Sequence, residues 1–336
     1  MRPFRAYALR LARKRRQLRA WRKSRQLSPV ALRLESISRG DILLFCTLRN
    51  EAARLPFFLE YYRRLGIGHF LFVDNGSTDG SAEYLIAQPD CSLWWTDAGY
   101  KQSRYGIDWM NHLLRRHGSG HWTLTVDVDE FLVYPHSDTR PLRALTDWLD
   151  ASAIKCFGAM LIDMYSDRAV GETHCPPGAD PIAAAPWFDA GNYQIRRNPR
   201  RGNLWIQGGA RQRVFFPDRP EAAPALNKIP LVRWQRGYVY ASSTHSLLPR
   251  GLNIVYDEWG GEKPCGALLH TKFLDTLPEK TAEELGRRQH YAGSREYRAY
   301  GARLAEGLSL WTACSTRYQG WRQLQDLGLI SPGGWL

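Results

Sequence analysis

The segment 121–133 constrains the fold most, because an apolar run that favours an extended chain becomes acidic at its far end. Its Thr, Leu and Val residues suit a pleated, half-buried surface, and neither Gly nor Pro interrupts the run. Alternate side chains of a strand share a face, so Asp127 and Asp129 are expected to project the same way. Paired carboxylates repel each other, and Mg²⁺ or Mn²⁺ offsets this repulsion. The pattern predicts a metal site, with a solvated acidic turn as the simpler alternative.

The first half of the chain alternates between strand and helix patterns. Strands are predicted at residues 41–48, 69–73, 91–96 and 121–133, with helical segments between them. Repeats of this length predict an α/β fold with a parallel sheet. Polar clusters follow three of the strands, at residues 47–51, 74–80 and 127–130. Because ligands bind at the carboxyl ends of parallel strands, we expect these clusters to lie side by side.

The second half is less regular and predicts short strands, loop and helix. Strands are predicted at residues 154–165, 204–216, 231–245 and 267–273, a long loop at 171–203, and charged helices from about 278 to 325. The 336 residues suffice for one large core. We therefore divide the chain into a tail (1–39), one α/β domain (40–275) and a helical extension (276–336).

The net charge of +13 belongs almost entirely to the tail. Residues 1–40 hold 13 Lys/Arg and one acid, whereas the rest of the chain holds 33 Lys/Arg and 32 Asp/Glu. A nearly neutral body argues against nucleic acid as a partner. In residues 1–27, apolar side chains including Tyr7, Leu18 and Trp21 share one side of a helical wheel. The tail is interpreted either as a basic amphipathic helix on an anionic membrane or as a disordered segment.

Cysteine spacing and hydropathy indicate a reducing compartment. The six Cys residues are far apart and form no Cys-x-x-Cys pair, which is typical of unpaired thiols. No apolar stretch follows the basic start, and no run of eighteen apolar residues occurs. These features predict a cytoplasmic protein without signal peptide or transmembrane span, and the tail allows peripheral attachment to the inner face of the cell membrane.

Three motifs together resemble those of the family 2-like glycosyltransferases. They are Thr47-Leu48-Arg49-Asn50-Glu51, Val73-Asp74-Asn75-Gly76-Ser77-Thr78-Asp79-Gly80 and Asp127-Val128-Asp129-Glu130. The branch that adds Leu-Pro-x-x-Leu-x-Tyr-Tyr-Arg-x-Leu-Gly after the first motif, as this chain does, is similar to the family 92 enzymes. The resemblance covers roughly residues 41–275. It implies a single glycosyltransferase-A-type domain with a mainly parallel mixed sheet flanked by helices.

The resemblance also implies a nucleotide-diphospho-sugar donor, UDP- or GDP-linked, and a glycan or lipid-linked acceptor. Carboxylates accept well from ribose hydroxyls and base N–H groups, which agrees with a role for the first two motifs in holding the nucleoside. The residues assigned to donor binding are Thr47, Arg49, Asn50, Glu51, Asp74, Asp79, Lys101 and Asp127. Turn and helix-cap duty is the alternative for Asp74 and Asp79.

By the same resemblance, Asp127 and Asp129 would hold Mn²⁺ or Mg²⁺, and family enzymes often add a histidine from late in the domain. His270 is the candidate and His245 the alternative, although a satisfied core histidine is the simpler interpretation. A metal would stabilise the charge that the leaving diphosphate gains. Additional cations near the leaving group are expected among Lys101, Arg104, Arg211 and Arg213.

The reaction is expected to invert the anomeric carbon, which requires a carboxylate that deprotonates the acceptor hydroxyl. Asp163 and Asp167, at the end of the strand after the metal site, are both candidates. Glu130 is expected to support the metal shell. Aromatic residues within 187–205 suit stacking on an acceptor sugar, with core packing as the alternative.

The expected function is metal-dependent hexosyl transfer, and two alternatives stay open. Nucleotidylyl transfer on the same fold would be favoured by a Gly-rich basic loop after the first strand, which residues 47–53 lack. A non-catalytic membrane- or RNA-binding role led by the tail would make residues 1–39 essential and the paired acids dispensable.

Overall fold

The computed structural model describes residues 3–256, 263–287 and 307–335. Its strands are β1 (Ser28–Ala31), β2 (Ile42–Leu48), β3 (His69–Asp74), β4 (Cys91–Trp95), β5 (Trp122–Thr125), β6 (Glu130–Val133), β7 (Cys156–Asp163), β8 (Trp187–Phe188), β9 (Tyr193–Arg197), β10 (Leu204–Gly208), β11 (Asn227–Arg233), β12 (Val239–Tyr240), β13 (Leu247–Leu248), β14 (Cys265–His270) and β15 (Thr316–Arg317). Its α-helices are α1 (Pro3–Lys23), α2 (Leu55–Leu65), α3 (Ser81–Ile86), α4 (Ile107–Leu113), α5 (Leu142–Ala151), α6 (Pro181–Ala184), α7 (Gly209–Phe215), α8 (Leu277–Arg287) and α9 (Trp321–Asp326). Within these residues, no helix has both the length and the apolar character needed to cross a bilayer.

Nine strands form one sheet in the order β1-β4-β3-β2-β5-β11-β7-β14-β6. β4, β3, β2 and β5 are parallel neighbours, and β14 is parallel to β7. β1, β11 and β6 run in the opposite direction. The α/β expectation is confirmed, and the sheet is mixed: six of its nine strands run in one direction, whereas β1 and β6 at the edges and β11 between β5 and β7 run in the other.

Helices cover both faces of the sheet, which explains why β2 and β3 are apolar along their length. α2 packs Phe58 and Tyr62 against one face, and α4 packs Trp109 against the other. Burial of a side chain such as Phe58 contributes roughly 1.5–3 kcal/mol to folding. Gly66 ends α2 in the left-handed conformation (φ 95°), which residues with a Cβ rarely adopt.

The segment 121–133 is not one strand. β5 ends at Thr125 beside β2, whereas β6 begins at Glu130 on the far edge of the sheet, beside β14. Between them the chain turns, and the Glu130 amide donates to the Asp127 carbonyl at 3.1 Å. The alternation argument for Asp127 and Asp129 is therefore wrong, because it holds only on a continuous extended strand.

Two predictions for the second half are corrected, and the tail is a helix. Residues 204–216 form β10 and then α7, with the change at Gly208, rather than one strand. The segment 276–336 contains strand β15 as well as helices α8 and α9, and residues 288–306 of the predicted helical extension lie outside the described residues. In the tail, Pro3–Lys23 form helix α1, so the tail is helical as the first interpretation expects, while its binding to a membrane stays a prediction.

Candidate functional site

The polar residues predicted at strand ends come together at one end of the sheet. β2, β3, β5, β7 and β14 run toward this end, and antiparallel β11 and β6 begin there. We call it the polar end. It collects side chains from the carboxyl ends of some strands and the amino ends of others, which a purely parallel sheet would not do.

His270 is the centre of a buried group at the polar end, the histidine cluster, formed with Asp129, Asp163 and Arg211. His270 Nδ1 is 2.7 Å from Asp163 Oδ1, and Nε2 is 3.4 Å from Asp129 Oδ2. Arg211 Nε donates to Asp163 Oδ2 at 2.7 Å. A carboxylate on Nδ1 fixes the ring orientation and directs Nε2 outward. A satisfied core histidine explains the Asp163 contact but not the second acid facing Nε2.

Charge pairing opposes the effect of burial on the pKa values of this cluster. Burial raises the pKa of Asp129, but the charge and hydrogen bond of His270, followed by the charge of Arg54, hold that pKa well below its usual range. Burial also opposes ionisation of Asp163, and Arg211 and His270 outweigh it, so the pKa of Asp163 is lowered. The pKa of His270 is raised, because Asp129 and Asp163 offset its burial. The cluster thus pairs two carboxylates with a guanidinium and an imidazole in a poorly solvated environment.

Lys228 is a site residue that the sequence motifs do not identify. Its Nζ is 3.2 Å from Asp127 Oδ2 and contacts Glu130 Oε1. Burial raises the pKa of Glu130 to about 7, although Lys228 opposes this rise. The Asp127 side chain is 57% exposed and so stays accessible to a ligand. The available signal was a lysine directly before the apolar run 229–232, because a lysine that is buried needs an acidic partner.

Asp74, at the end of β3, has a buried oxygen without a partner. Its Oδ1 accepts from Ser77 N at 2.8 Å and from Ser77 Oγ at 2.7 Å, whereas Oδ2 has no hydrogen bond within the described ranges. Burial raises the pKa of Asp74 against these hydrogen bonds. Thr47 Oγ1, near the end of the neighbouring strand β2, is also buried and has no hydrogen bond to a described residue. β2–β3 register pairs Thr47 with Val73 and Asp74 with Leu48, so the Thr47 and Asp74 side chains leave opposite faces of the sheet.

Three predicted donor-binding residues are used by the fold itself. Arg49 Nη1 donates to backbone carbonyls of the turn at 75–76, and Asn50 Oδ1 accepts from the Thr78 amide at 2.9 Å. The two carboxylate oxygens of Asp79 accept hydrogen bonds of 2.6–3.0 Å from neighbouring N–H and O–H groups. Turn and cap duty therefore accounts for Asp79, and all three residues shape the loops that follow β2 and β3.

Helix α8 covers the loop after β2. Lys280 Nζ is 2.5 Å from Glu51 Oε1, and Arg49 Nε donates to Glu283 Oε1 at 2.8 Å. Burial lowers the pKa of Lys280 against the pull of Glu51. The predicted donor-binding residues Arg49 and Glu51 are thus held by a helix far away in sequence.

Arg54 links this loop to the histidine cluster. Its Nη1 is 3.2 Å from Glu51 Oε2, and its Nη2 donates to the Thr271 carbonyl at 3.4 Å, one residue after His270. Burial opposes its charge, but Glu51 and then Asp129 raise its pKa. Arg54 is therefore a buried cation between the two sides of the site, and the motifs do not identify it.

The remaining candidates lie outside the histidine cluster. Asp167 is exposed just beyond β7, and Lys101 is exposed on a short turn after β4. His245 Nδ1 is 2.6 Å from the Asn227 carbonyl, and burial lowers the pKa of His245 to about 4. Arg104 and Arg213 each form an ion pair with an aspartate that was not a candidate, Asp108 and Asp189 respectively.

The residues present fit part of a metal shell. Across the described ranges, no three His, Cys, Asp or Glu side chains converge closely enough to hold an ion. Asp129 Oδ2 and His270 Nε2, at 3.4 Å, nevertheless have the spacing of adjacent ligands of one ion, since each bond would measure about 2.1 Å. Asp163 supplies the carboxylate that metal-binding histidines carry on their other nitrogen. A third ligand from Asp127 requires that side chain to turn away from Lys228.

Comparison with known proteins gives one distant relationship. No protein-family model matches the chain. A glycosyltransferase family 92 protein of Oryza sativa subsp. japonica is 32% identical over 110 residues, which cover 30% of this chain. The chain spans 18% of the length of that curated relative. The similarity confirms the resemblance to family 92 that the three motifs indicate.

Proposed function

We propose that the protein is a metal-dependent glycosyltransferase that moves a hexose from a UDP- or GDP-sugar to a glycan or lipid-linked acceptor, with inversion at the anomeric carbon. The observation that carries the proposal is the presence of the histidine cluster and of Asp74 at the same end of the sheet. The cluster offers an oriented Asp–His pair, and Asp74 offers a hydrogen-bond acceptor that no described residue uses. The distant similarity to a family 92 protein supports the same reaction class.

Asp74 binds the nucleoside in this proposal. A ribose hydroxyl or a base N–H donates to Asp74 Oδ2, which gives a partner to an atom whose burial is otherwise costly. Thr47 contributes its hydroxyl from the other face of the sheet, and Lys101 binds the diphosphate from its exposed turn. Arg49, with Asn50, Glu51 and Asp79, keeps the surrounding loops in shape.

Asp129 and His270 would hold Mn²⁺ or Mg²⁺, with Asp127 as the third protein ligand. When bound, the ion neutralises the charge that develops on the leaving diphosphate. Asp163 holds the His270 ring so that Nε2 faces the ion site. Arg54 adds a fixed positive charge beside Asp129, which further favours an anionic leaving group.

We assign acceptor deprotonation to Asp167 rather than Asp163. Both oxygens of Asp163 are bound, to Arg211 and His270, and a lowered pKa makes this carboxylate a weak base. Asp167 is exposed, and no hydrogen bond joins its side chain to another described residue. An exposed carboxylate can approach an acceptor hydroxyl without breaking a buried ion pair.

The test is a panel of UDP- and GDP-sugars, each with Mn²⁺ or Mg²⁺, read by thermal shift and by donor hydrolysis. We expect at least one donor to raise the unfolding temperature only when metal is present. Asp129→Ala should abolish this metal-dependent response and reduce hydrolysis on the order of 1000-fold, because the oriented Asp–His pair is lost.

Asp147→Ala is the matched control, since Asp147 is an exposed acid on α5 away from the polar end. This variant should behave as wild type. Hydrolysis that survives in Asp129→Ala would contradict the metal assignment. Pyrophosphate release from a nucleoside triphosphate and a sugar phosphate would instead favour nucleotidylyl transfer.

A further inference from the structure

Helix α1 turns an apolar stripe toward solvent. Tyr7, Leu11, Leu18 and Trp21 recur at spacings that return to one side of a helix, and their exposed fractions are 69%, 37%, 46% and 56%. Basic residues flank this stripe, and α1 contains no acidic residue. An aromatic and aliphatic stripe between arginines and lysines is typical of helices that lie in a membrane interface.

The opposite side of α1 is bound to the body, so the stripe has a fixed orientation. Ala20 is buried, and Leu9 and Ala12 pack on a small apolar cluster that includes Val239. Arg19 Nε is 2.6 Å from Asp108 Oδ2. These contacts order the helix before any partner binds, which lowers the entropic cost of docking.

A basic cavity of about 360 Å³ lies between α1 and α4, beside the stripe. Arg115, Arg116 and Arg236 line it together with Trp21, and no acid is among the lining residues. No hydrogen bond or ion pair joins these three guanidinium groups to a side chain in the described parts of the chain. The cavity therefore has unneutralised donors that suit an anionic group.

His112, which also lines the cavity, reports on this charge. Burial lowers its pKa, and the positive charges of Arg116 and Arg115 lower it further. A neutral imidazole surrounded by arginines indicates a positive potential within the cavity at neutral pH. An anion that enters would relieve this repulsion.

We propose that the cavity binds the phosphate headgroup of an anionic phospholipid while the stripe on α1 enters the lipid interface. The choice of a membrane over a soluble anion rests on the stripe, because Tyr7 and Leu11 are exposed, do not line the cavity and would have no role in binding a free phosphate. The choice over nucleic acid rests on the small size of the cavity and on the nearly neutral charge of residues 41–336. The reaction would then take place at a membrane surface, although the proposal does not depend on that reaction.

The experiment is flotation of the full-length protein with phosphatidylcholine vesicles that contain or lack phosphatidylglycerol. We expect binding to the anionic vesicles only, weakening as salt increases. The triple variant Arg115→Gln, Arg116→Gln, Arg236→Gln should weaken binding on the order of 100-fold at low salt. Arg115→Lys, Arg116→Lys, Arg236→Lys should retain most of it, which separates loss of charge from loss of folding.

Two further variants complete the test. The double variant Tyr7→Ser, Leu11→Ser should weaken binding while leaving the cavity lining unchanged. Arg64→Gln, Arg219→Gln, Arg317→Gln removes the same charge from exposed arginines elsewhere and should bind as wild type. Donor hydrolysis should be unchanged in all these variants, so failure here is distinguishable from failure of the proposed glycosyl transfer.

The proposal is overturned if neutral vesicles bind equally, or if the control triple variant loses as much affinity as the cavity variant. Displacement from vesicles by inorganic phosphate at matched ionic strength would assign the cavity to a small anion instead. Tighter binding to an RNA oligomer, lost in the same cavity variant, would assign it to nucleic acid.

Discussion

The histidine cluster and the end of β3 differ in whether their buried polar atoms have hydrogen-bond partners. In the histidine cluster, Asp163 is paired through both oxygens and His270 through both nitrogens. At the end of β3, Asp74 keeps one buried oxygen without a partner among the described residues. An unpaired buried acceptor costs roughly 1–3 kcal/mol, whereas a paired one costs little.

We interpret the paired residues of the histidine cluster as residues that position one another, and Asp74 as a residue whose free oxygen can bind a ligand. The histidine cluster is pre-organised, because its charged groups hold one another in position. The unpaired Oδ2 of Asp74 destabilises the unliganded protein, and a hydrogen bond from a bound nucleoside would remove this destabilisation. The comparison therefore predicts that substitutions in the cluster impair stability and activity together, whereas substitution of Asp74 impairs binding alone.

Asp163→Asn is expected to have the largest effect on stability, since it breaks ion pairs of the buried histidine cluster. It leaves the buried Arg211 charge without its partner and releases His270, at a cost of about 3–5 kcal/mol of unfolding free energy. Activity should fall about 10–100-fold, because the ring loses the carboxylate that orients it. Denaturant unfolding and donor hydrolysis measure the two effects.

Asp189→Asn is the control for that substitution, because it weakens the more exposed Arg213 ion pair. A smaller loss of stability and little change in donor hydrolysis are expected. Equal losses of stability and of donor hydrolysis in the two variants would mean that the histidine cluster contributes no more than the Arg213–Asp189 ion pair.

Asp74→Asn is expected to lower nucleotide affinity by about tenfold, through loss of one charged acceptor. Stability should rise at neutral pH. The folded-state pKa of Asp74 is raised, so the unfolded chain binds fewer protons and ionisation opposes folding as pH increases through that pKa. Asn removes this penalty, and calorimetry with a nucleoside diphosphate and thermal unfolding at two pH values check the pair of effects.

Asp97→Asn, an exposed acid after β4, should change neither affinity nor unfolding temperature. A drop in the stability of Asp74→Asn at neutral pH would show that Asp74 serves the fold, and the contrast between the two sides of the site would then disappear.

Lys280→Met is expected to have the smallest effect and to sharpen the comparison at the donor loop. Lys280 is partly exposed, so the loss of its contact with Glu51 should cost about 1 kcal/mol or less. Hydrogen exchange in α8 should accelerate a few-fold while the sheet strands stay protected. Lys155→Met, at an exposed site, is the control, and unchanged exchange in α8 would mean that Glu51 does not hold this helix.

Much of the first half could be predicted from sequence, because its strands and helices follow one another locally. Asp74 at the end of β3 and Thr47 at the end of β2 lie at the expected positions, since parallel strand–helix repeats fix which ends meet. The prediction failed at residues 121–133, where an unbroken apolar and acidic run contains a turn. That turn is dictated by the pairing of β6 with β14, which is far away in sequence.

The site itself was only partly predictable for the same reason. His270 and Asp129 were found through motif likeness, but their meeting depends on β14 lying between β7 and β6. The roles of Lys228 and Arg54 in the site could not be predicted from the motifs. The sequence shows that each residue is basic, but it does not show which acidic residue each one contacts in the fold. Asp79 shows the converse, since its motif position suggested a ligand while its hydrogen bonds serve the turn.

The contacts between α8 and the loop after β2 can form only late in the synthesis of the chain. Arg49 and Glu283 are separated by 234 positions, so the loop after β2 leaves the ribosome long before helix α8, which contacts it in the folded protein. Until α8 is made, Glu51 can pair with Arg54 but not with Lys280, so the contacts of the loop are completed late in synthesis. A prematurely terminated chain that lacks α8 would thus lack the Lys280 and Glu283 contacts of the loop after β2.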